Sequence, residues 1–288
     1  MKTTVSLSII GVGLGLLPLS GWTAAGPADD VKDAATKLAE KSSYSWTTRV
    51  EQVQTNRFRG GPVDGQTEKD GFTVVTFKNG DNAVMAVRKG EKVAVKQDDE
   101  WKTSEEMADD GGGGGGAGRF GRGAFLVGRV QRLKLPADEA QELVGRVKEL
   151  KKEDEGVYSG DLTPEGVKAM YTFGGGRGPG NRGQGGAGAG AGGGNADRPA
   201  GRGGRGGGMD TSGLKVHAKF WLKDGVLAKY ETKTEGKAPG FNFNRGGGGG
   251  GGEAPRPVDM GQTKTVEIQD VGSTKVQVPA EARKKLAR

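Results

Sequence analysis

Lys215-Val216-His217-Ala218-Lys219-Phe220-Trp221-Leu222-Lys223 is followed at once by Asp224-Gly225 and then by Val226–Lys233. Val216, Ala218, Phe220 and Leu222 alternate with Lys215, His217, Lys219, Trp221 and Lys223, the period-two pattern of a strand with one buried and one wet face. Asp-Gly is a preferred dipeptide for a two-residue hairpin turn, where both central residues need positive φ. The return segment carries Ala228 and Tyr230 on one face. The stretch predicts an antiparallel hairpin with one apolar side.

The same alternation recurs upstream. Tyr44, Trp46, Thr48 and Val50 face one way, and Ser45, Thr47, Arg49 and Glu51 the other. Phe72–Phe77, Ala83–Val87 and Lys92–Val95 follow as a meander, separated by Asn79-Gly80 and Lys89-Gly90. Val157–Gly160 is a short strand, and Thr265–Ile268 and Thr274–Val278 give two more, with Gly272 at their turn. Helical spacing of Val31, Ala34, Ala35 and Leu38 predicts a helix from Val31 to Lys41. Leu126, Val130 and Leu133 favour a helix within Phe125–Leu133. Pro136 and the acids after it open another, with a stripe of Ala140, Leu143, Val144, Val147 and Leu150 and with Lys151-Lys152 at its end. Thr163-Pro164-Glu165 starts a helix that ends near Phe173, and Pro279 begins a basic C-terminal one. Eight to ten strands and three to five helices, with the strands mostly consecutive, predict an α+β domain built on an antiparallel sheet.

Between these elements the composition changes. Of 57 glycines in 288 residues, 36 lie in Asp109–Gly123, Gly174–Gly208 and Gly240–Gly252. Outside those tracts glycine is close to an ordinary globular background. The formal net charge of +7 divides the same way: the tracts carry a net +5 and Lys2 one more, which leaves about +1 for the folded body. The basicity is a property of the tracts, and the body gives no electrostatic reason to expect nucleic acid.

Met1-Lys2 and the apolar run Val5–Leu19, with Thr23-Ala24-Ala25 behind it, have the form of a secretory signal. The run is too short, and too interrupted by Gly11, Gly13, Gly15 and Pro18, for a good membrane span. The expected organisation is a signal segment 1–25 and a single domain 26–288, interrupted by disordered insertions at 109–123, 174–208 and 240–257. The destination is the periplasm or the outside of the cell. With no cysteine there is no disulfide, no thiolate metal site and no lipid-modified cysteine anchor.

The residues point away from an enzyme. The one histidine, His217, falls on the polar face of its strand, where an idle histidine is the plainer reading. Zinc needs several nitrogen or sulfur ligands that the chain does not have. Ser212-Gly213-Leu214-Lys215 fits S-x-x-K at the level expected by chance. The glycine runs match G-x-G-x-x-G only because polyglycine satisfies any glycine pattern. Acidic clusters at Asp98-Asp99-Glu100, Glu105-Glu106 and Glu153-Asp154-Glu155 lack the spacing of a calcium loop and read as solvated turns and helix ends. No cofactor is expected. Gly201-Arg202-Gly203-Gly204-Arg205 resembles RNA-binding RGG segments, but an exported chain with few aromatics in its tracts has little occasion for RNA.

Asp33-Ala34-Ala35-Thr36-Lys37-Leu38 leading through Ser42-Ser43 into Tyr44-Ser45-Trp46-Thr47-Thr48-Arg49-Val50 resembles the opening of the periplasmic lipoprotein carriers of the LolA/LolB-like superfamily. Lys89–Val95 followed by Trp101, the hairpin Phe220–Tyr230, and Thr274–Pro279 are similar to later parts of that fold. The resemblance implies a strongly curved antiparallel half-barrel with helices over its concave face and a cavity for acyl chains. The three glycine-rich insertions are foreign to those carriers.

Together these readings give a non-enzymatic exported protein that binds a lipid, an acylated protein or another apolar ligand in the cell envelope. The pocket candidates are Trp46, Val50, Phe72, Val74, Phe220, Leu222 and Tyr230, the larger residues assigned to the inward face. The alternative is a structural or interaction protein of the envelope or cell surface, touching anionic envelope polymers through its arginine-bearing tracts.

Overall fold

The computed structural model describes residues 26–52, 61–109, 122–172, 210–238 and 257–287. The expected signal segment 1–25 and nearly all of the three glycine-rich insertions lie outside the described residues.

The first helix, α1 (Pro27–Ala39), buries Val31, Ala34, Ala35 and Leu38, the four residues that the helical spacing selects. Asp29 and Asp30 sit in its first turn, where carboxylates meet the positive end of the helix dipole. Six strands follow as a meander: β1 (Ser43–Gln52), β2 (Val63–Glu68), β3 (Phe72–Asn79), β4 (Asn82–Lys89), β5 (Lys92–Gln97) and β6 (Glu100–Thr103). Of these, β2 and β6 have no counterpart among the expected strands. β2 is short and carries Asp64, Gly65 and Gln66, residues of low strand propensity. β6 follows a turn in which Asp98 and Asp99 both have positive φ, 48° and 71°. Its acids therefore mark a hairpin tip where only a solvated turn is expected.

Then come α2 (Ser104–Asp109), α3 (Arg122–Gln131), α4 (Pro136–Val144), the hairpin β7 (Lys151–Asp154) and β8 (Val157–Asp161), and α5 (Pro164–Thr172). The expected helix from Pro136 is shorter than its apolar stripe. It ends at Gly145, whose N–H reaches Gln141 and Leu143 carbonyls. Beyond it Val147 bridges Leu162, and Lys151 pairs with Ser159. The backbone after Gly145 finds strand partners, so Lys151-Lys152 belong to β7 and not to a helix end.

The long hairpin is β9 (Leu214–Lys223) and β10 (Val226–Ala238), turned by Asp224 at φ 52° and Gly225 at φ 70°. β11 (Val258–Asp259), β12 (Gln262–Gln269) and α6 (Ala280–Leu286) complete the chain. The expected strand Thr274–Val278 is not one: these residues carry no strand assignment. β12 lies between β1 and β10, so a return strand has no free edge to join. Val276 and Val278 instead pack beneath α6.

All twelve strands belong to one sheet in the order β6-β5-β4-β3-β2-β1-β12-β10-β9-β8-β7, with β11 on β10. Every pairing is antiparallel, and β6 and β7 are unjoined ends, so the sheet is open. The expected α+β class with an open antiparallel sheet is the one observed. Cross-strand register fixes the faces. Trp46, Gly65, Val75, Ala86 and Val95 stand opposite one another in succession and share one face. α1, α4 and α5 cover that face over β8–β10, and α3 covers it over β4 and β5. Val74, Val87 and Ala94 share the other face, which α6 covers with Ala282 and Leu286.

Candidate functional site

Where α3 and α4 approach β1, β2, β3, β10 and β12, they leave a cavity of about 260 Å³. Its floor is Trp46, Thr48 and Val50 of β1 with Val63 and Phe77 beside them, and its roof is Leu133 and Pro136. Trp46 lies flat enough for its ring to fill the space above Gly65: a Cβ there would stand 2.1 Å from the indole Cζ2. Glycine at 65 is thus required by the close approach of the ring. At the rim stands Val50, 40% exposed, one of two exposed large apolar side chains among the described residues.

Four charged side chains line the same space: Arg129, Lys134, Glu139 and Lys264. Glu139 comes from the first turn of α4. It accepts a hydrogen bond from the Tyr230 hydroxyl at 2.7 Å and pairs with Lys264 of β12. Both partners of that pair are about three-quarters buried, 26% and 27% exposed. Burial, then the charge of Glu139, raises the Tyr230 hydroxyl well above its ordinary pKa, so it stays a donor. Lys134 pairs with Glu142, which also accepts from Arg146 at 2.9 Å. Arg129 stacks its guanidinium 4.4 Å from the centre of the Phe77 ring, and burial lowers its pKa from the usual arginine value.

Of the seven residues expected to form a pocket, Trp46, Val50 and Tyr230 line this cavity. Phe220 and Leu222 share its face of the sheet but pack into the neighbouring core under α1, α4 and α5. Phe72 and Val74 lie on the opposite face. Their strand reads Phe72-Thr73-Val74-Val75-Thr76-Phe77, apolar on both sides, so alternation alone leaves its inner side undecided. Register decides it: Val75 and Phe77 are inward, while Val74 packs under α6 and Phe72 is stacked by Lys89 and Arg283. Val74 contributes instead to a second, wider hollow of about 550 Å³ on that side, lined by Ser45, Thr47, Asp64, Gln66, Thr76 and Gln277 together with Trp46, Met85, Val278 and Pro279. There Asp64 meets Lys78 at 2.6 Å and Thr47 at 2.8 Å, and those bonds hold its carboxyl below its usual value despite partial burial.

Arg129, Glu139 and Lys264 are among the cavity residues that the pattern reading missed. Glu139 lies three residues after Pro136 and four before Leu143, at the edge of the buried stripe of α4, and Lys264 precedes Val266 by two on the inward side of β12. Those spacings are the signal that was there to be found. His217 keeps its polar-face position and meets Asp161 at 2.8 Å on the surface.

No protein-family model and no curated protein matches the chain. Among solved structures it is similar to the Mycobacterium tuberculosis lipoprotein LppX, at 11% identity and a TM-score of 0.40, over 88% of this chain and 98% of that one. It is also similar to LprF from Mycobacterium bovis, at 11% identity and a TM-score of 0.40, over 89% and 97%. A LolA superfamily protein from Nitrosomonas europaea matches at 10% identity and a TM-score of 0.30, over 88% and 96%.

Proposed function

We propose that this chain is a non-enzymatic, exported protein of the cell envelope, a single domain with glycine-rich insertions, that binds an acyl chain or another apolar group between its sheet and α3–α4. The observation that carries the reading is the cavity of about 260 Å³ floored by Trp46, Val63 and Phe77, with Val50 exposed at its rim. Ligand cavities are concave and mostly apolar, with a few polar groups that orient the occupant. This one has that make-up. Its volume falls just under the roughly 300 Å³ at which cavities for drug-sized ligands begin. One chain fits such a space better than the several chains of a whole lipid. The signal-like start of the sequence supports export, and no described helix is long and apolar enough to cross a membrane.

The test is native mass spectrometry of the mature protein purified from its own envelope, followed by solvent extraction of whatever it carries. A stoichiometric acyl ligand is the expected result. A protein that arrives empty and also ignores added fatty acids and phospholipids would overturn the reading.

A further inference from the structure

The charges around the cavity are unevenly compensated. Lys264 is matched by Glu139 and Lys134 by Glu142. Arg129 has no carboxylate partner among the described residues; its contact is the face of Phe77. α3, which carries it, contains no acidic residue at all.

Two plainer roles for Arg129 can be weighed. A cation in the last turn of a helix is favoured by the helix dipole. Here, though, the carbonyls at that end are already bonded: Arg88 donates to Leu133 O at 2.7 Å and to Val130 O at 3.4 Å. An arginine stem also covers apolar surface while its head stays in water. Arg129 is exposed, yet its guanidinium sits over the Phe77 ring at the edge of the cavity, where apolar floor and solvent meet. A guanidinium that no carboxylate of the described residues engages, set beside an apolar floor, is placed to receive an anion.

We propose that the occupant is an anionic amphiphile, one acyl chain ending in a carboxylate or phosphate, with the chain over Trp46 and Val63 and the headgroup held by Arg129. The proposal rests on the cavity being the site of an apolar ligand, and its test separates the two. Glu139 does not repel such a headgroup, because Lys264 and the Tyr230 hydroxyl already neutralise its carboxylate.

The mature protein is titrated with decanoate, decyl phosphate, decanol and inorganic phosphate, followed by tryptophan fluorescence and native mass spectrometry. The wild type, Arg129→Gln and Arg129→Lys are compared. Decanoate and decyl phosphate are expected to bind more tightly than decanol. Arg129→Gln is expected to weaken both about tenfold, the worth of one charge-assisted hydrogen bond. Decanol affinity should fall by less than that of the anions, a thermal melt checks that the variant is folded, and Arg129→Lys should restore part of the loss. Equal affinity for decanoate and decanol, or no effect of Arg129→Gln on the anions, would overturn the headgroup assignment while leaving the apolar site standing. Inorganic phosphate binding as tightly as decyl phosphate would make the site one for free anions and overturn the amphiphile. Failure of all the alkyl probes would sink both readings.

Discussion

The two wings of the sheet solve the same problem differently. Among the described residues β8, β9 and β10 are covered on one face, by α1, α4 and α5, and the other face of β9 carries Lys215, His217, Lys219, Trp221 and Lys223. That wet face is laced with pairs such as Lys219 with Glu153 at 2.5 Å, and Trp221 lies under the ammonium groups of Lys219 and Lys229. β3, β4 and β5 are covered on both faces. α3 closes one with Val127 and Val130, and α6 closes the other with Ala282 and Leu286. A strand with one wet side alternates, whereas a strand buried on both sides reads as a continuous apolar run. Hence Leu214–Lys223 announces its face in the sequence, and Phe72–Phe77 does not.

If the second layer over β3–β5 is an accessory to the main core, removing its anchor should cost less than removing an anchor of the singly covered wing. Phe220→Ala, at a fully buried ring beside Tyr230, is expected to destabilise by about 3–5 kcal/mol in a denaturant melt. Leu286→Ala should fall at about 2 kcal/mol, the lower end for such truncations, because α6 can shift to fill the gap. Equal losses would break the distinction and make both faces one core.

At the seam between the wings, Gly65→Ala places a methyl where the Trp46 ring lies. The expected loss is about 1–3 kcal/mol of stability by thermal unfolding, the usual cost of overpacking. Because Trp46 also floors the cavity, the variant should lower decanol affinity too, whereas a change confined to the α6 side should not.

The smallest effect concerns pH. Lys285 of α6 pairs with Glu106 of α2, and the hydrogen bonds from Lys285 and the Thr103 N–H hold the Glu106 carboxyl below its usual 4.5. A carboxyl depressed in the folded state contributes its full share above its unfolded pKa and loses it as pH falls through the folded one. Hydrogen-exchange protection of α6 should therefore decline below about pH 4.5. Glu106→Gln should remove that decline, and loss of protection that persists in the variant would show that α6 is held by something else.

Much of the architecture is written in local patterns. α1 and the β9–β10 hairpin are legible because each has one buried face, so periodicity and turn chemistry agree. What escaped depends on distant partners. Val147 and Leu150 continue the stripe of α4 at helical spacing, yet β8 and the residue after it take the backbone of Val147, Lys148 and Lys151 away from a helix. Thr274–Val278 looks like a strand and lacks an edge to pair with, a fact fixed by β1 and β10. The cavity was legible in part for the same reason. Trp46, Val50 and Tyr230 sit on strands that alternate, while Arg129 and Lys264 meet only when α3 and β12 converge on β1.

The pairing of β1 with β12 joins Ser45 to Gln269. That ladder ties the first described strand to the last, and both wings hang from it. During synthesis β1 must therefore wait, its inner edge unpaired, until most of the remaining chain has appeared. Contacts so remote in sequence make folding slow. On the proposal that the chain is exported, this delay keeps the sheet incomplete during its passage through a membrane.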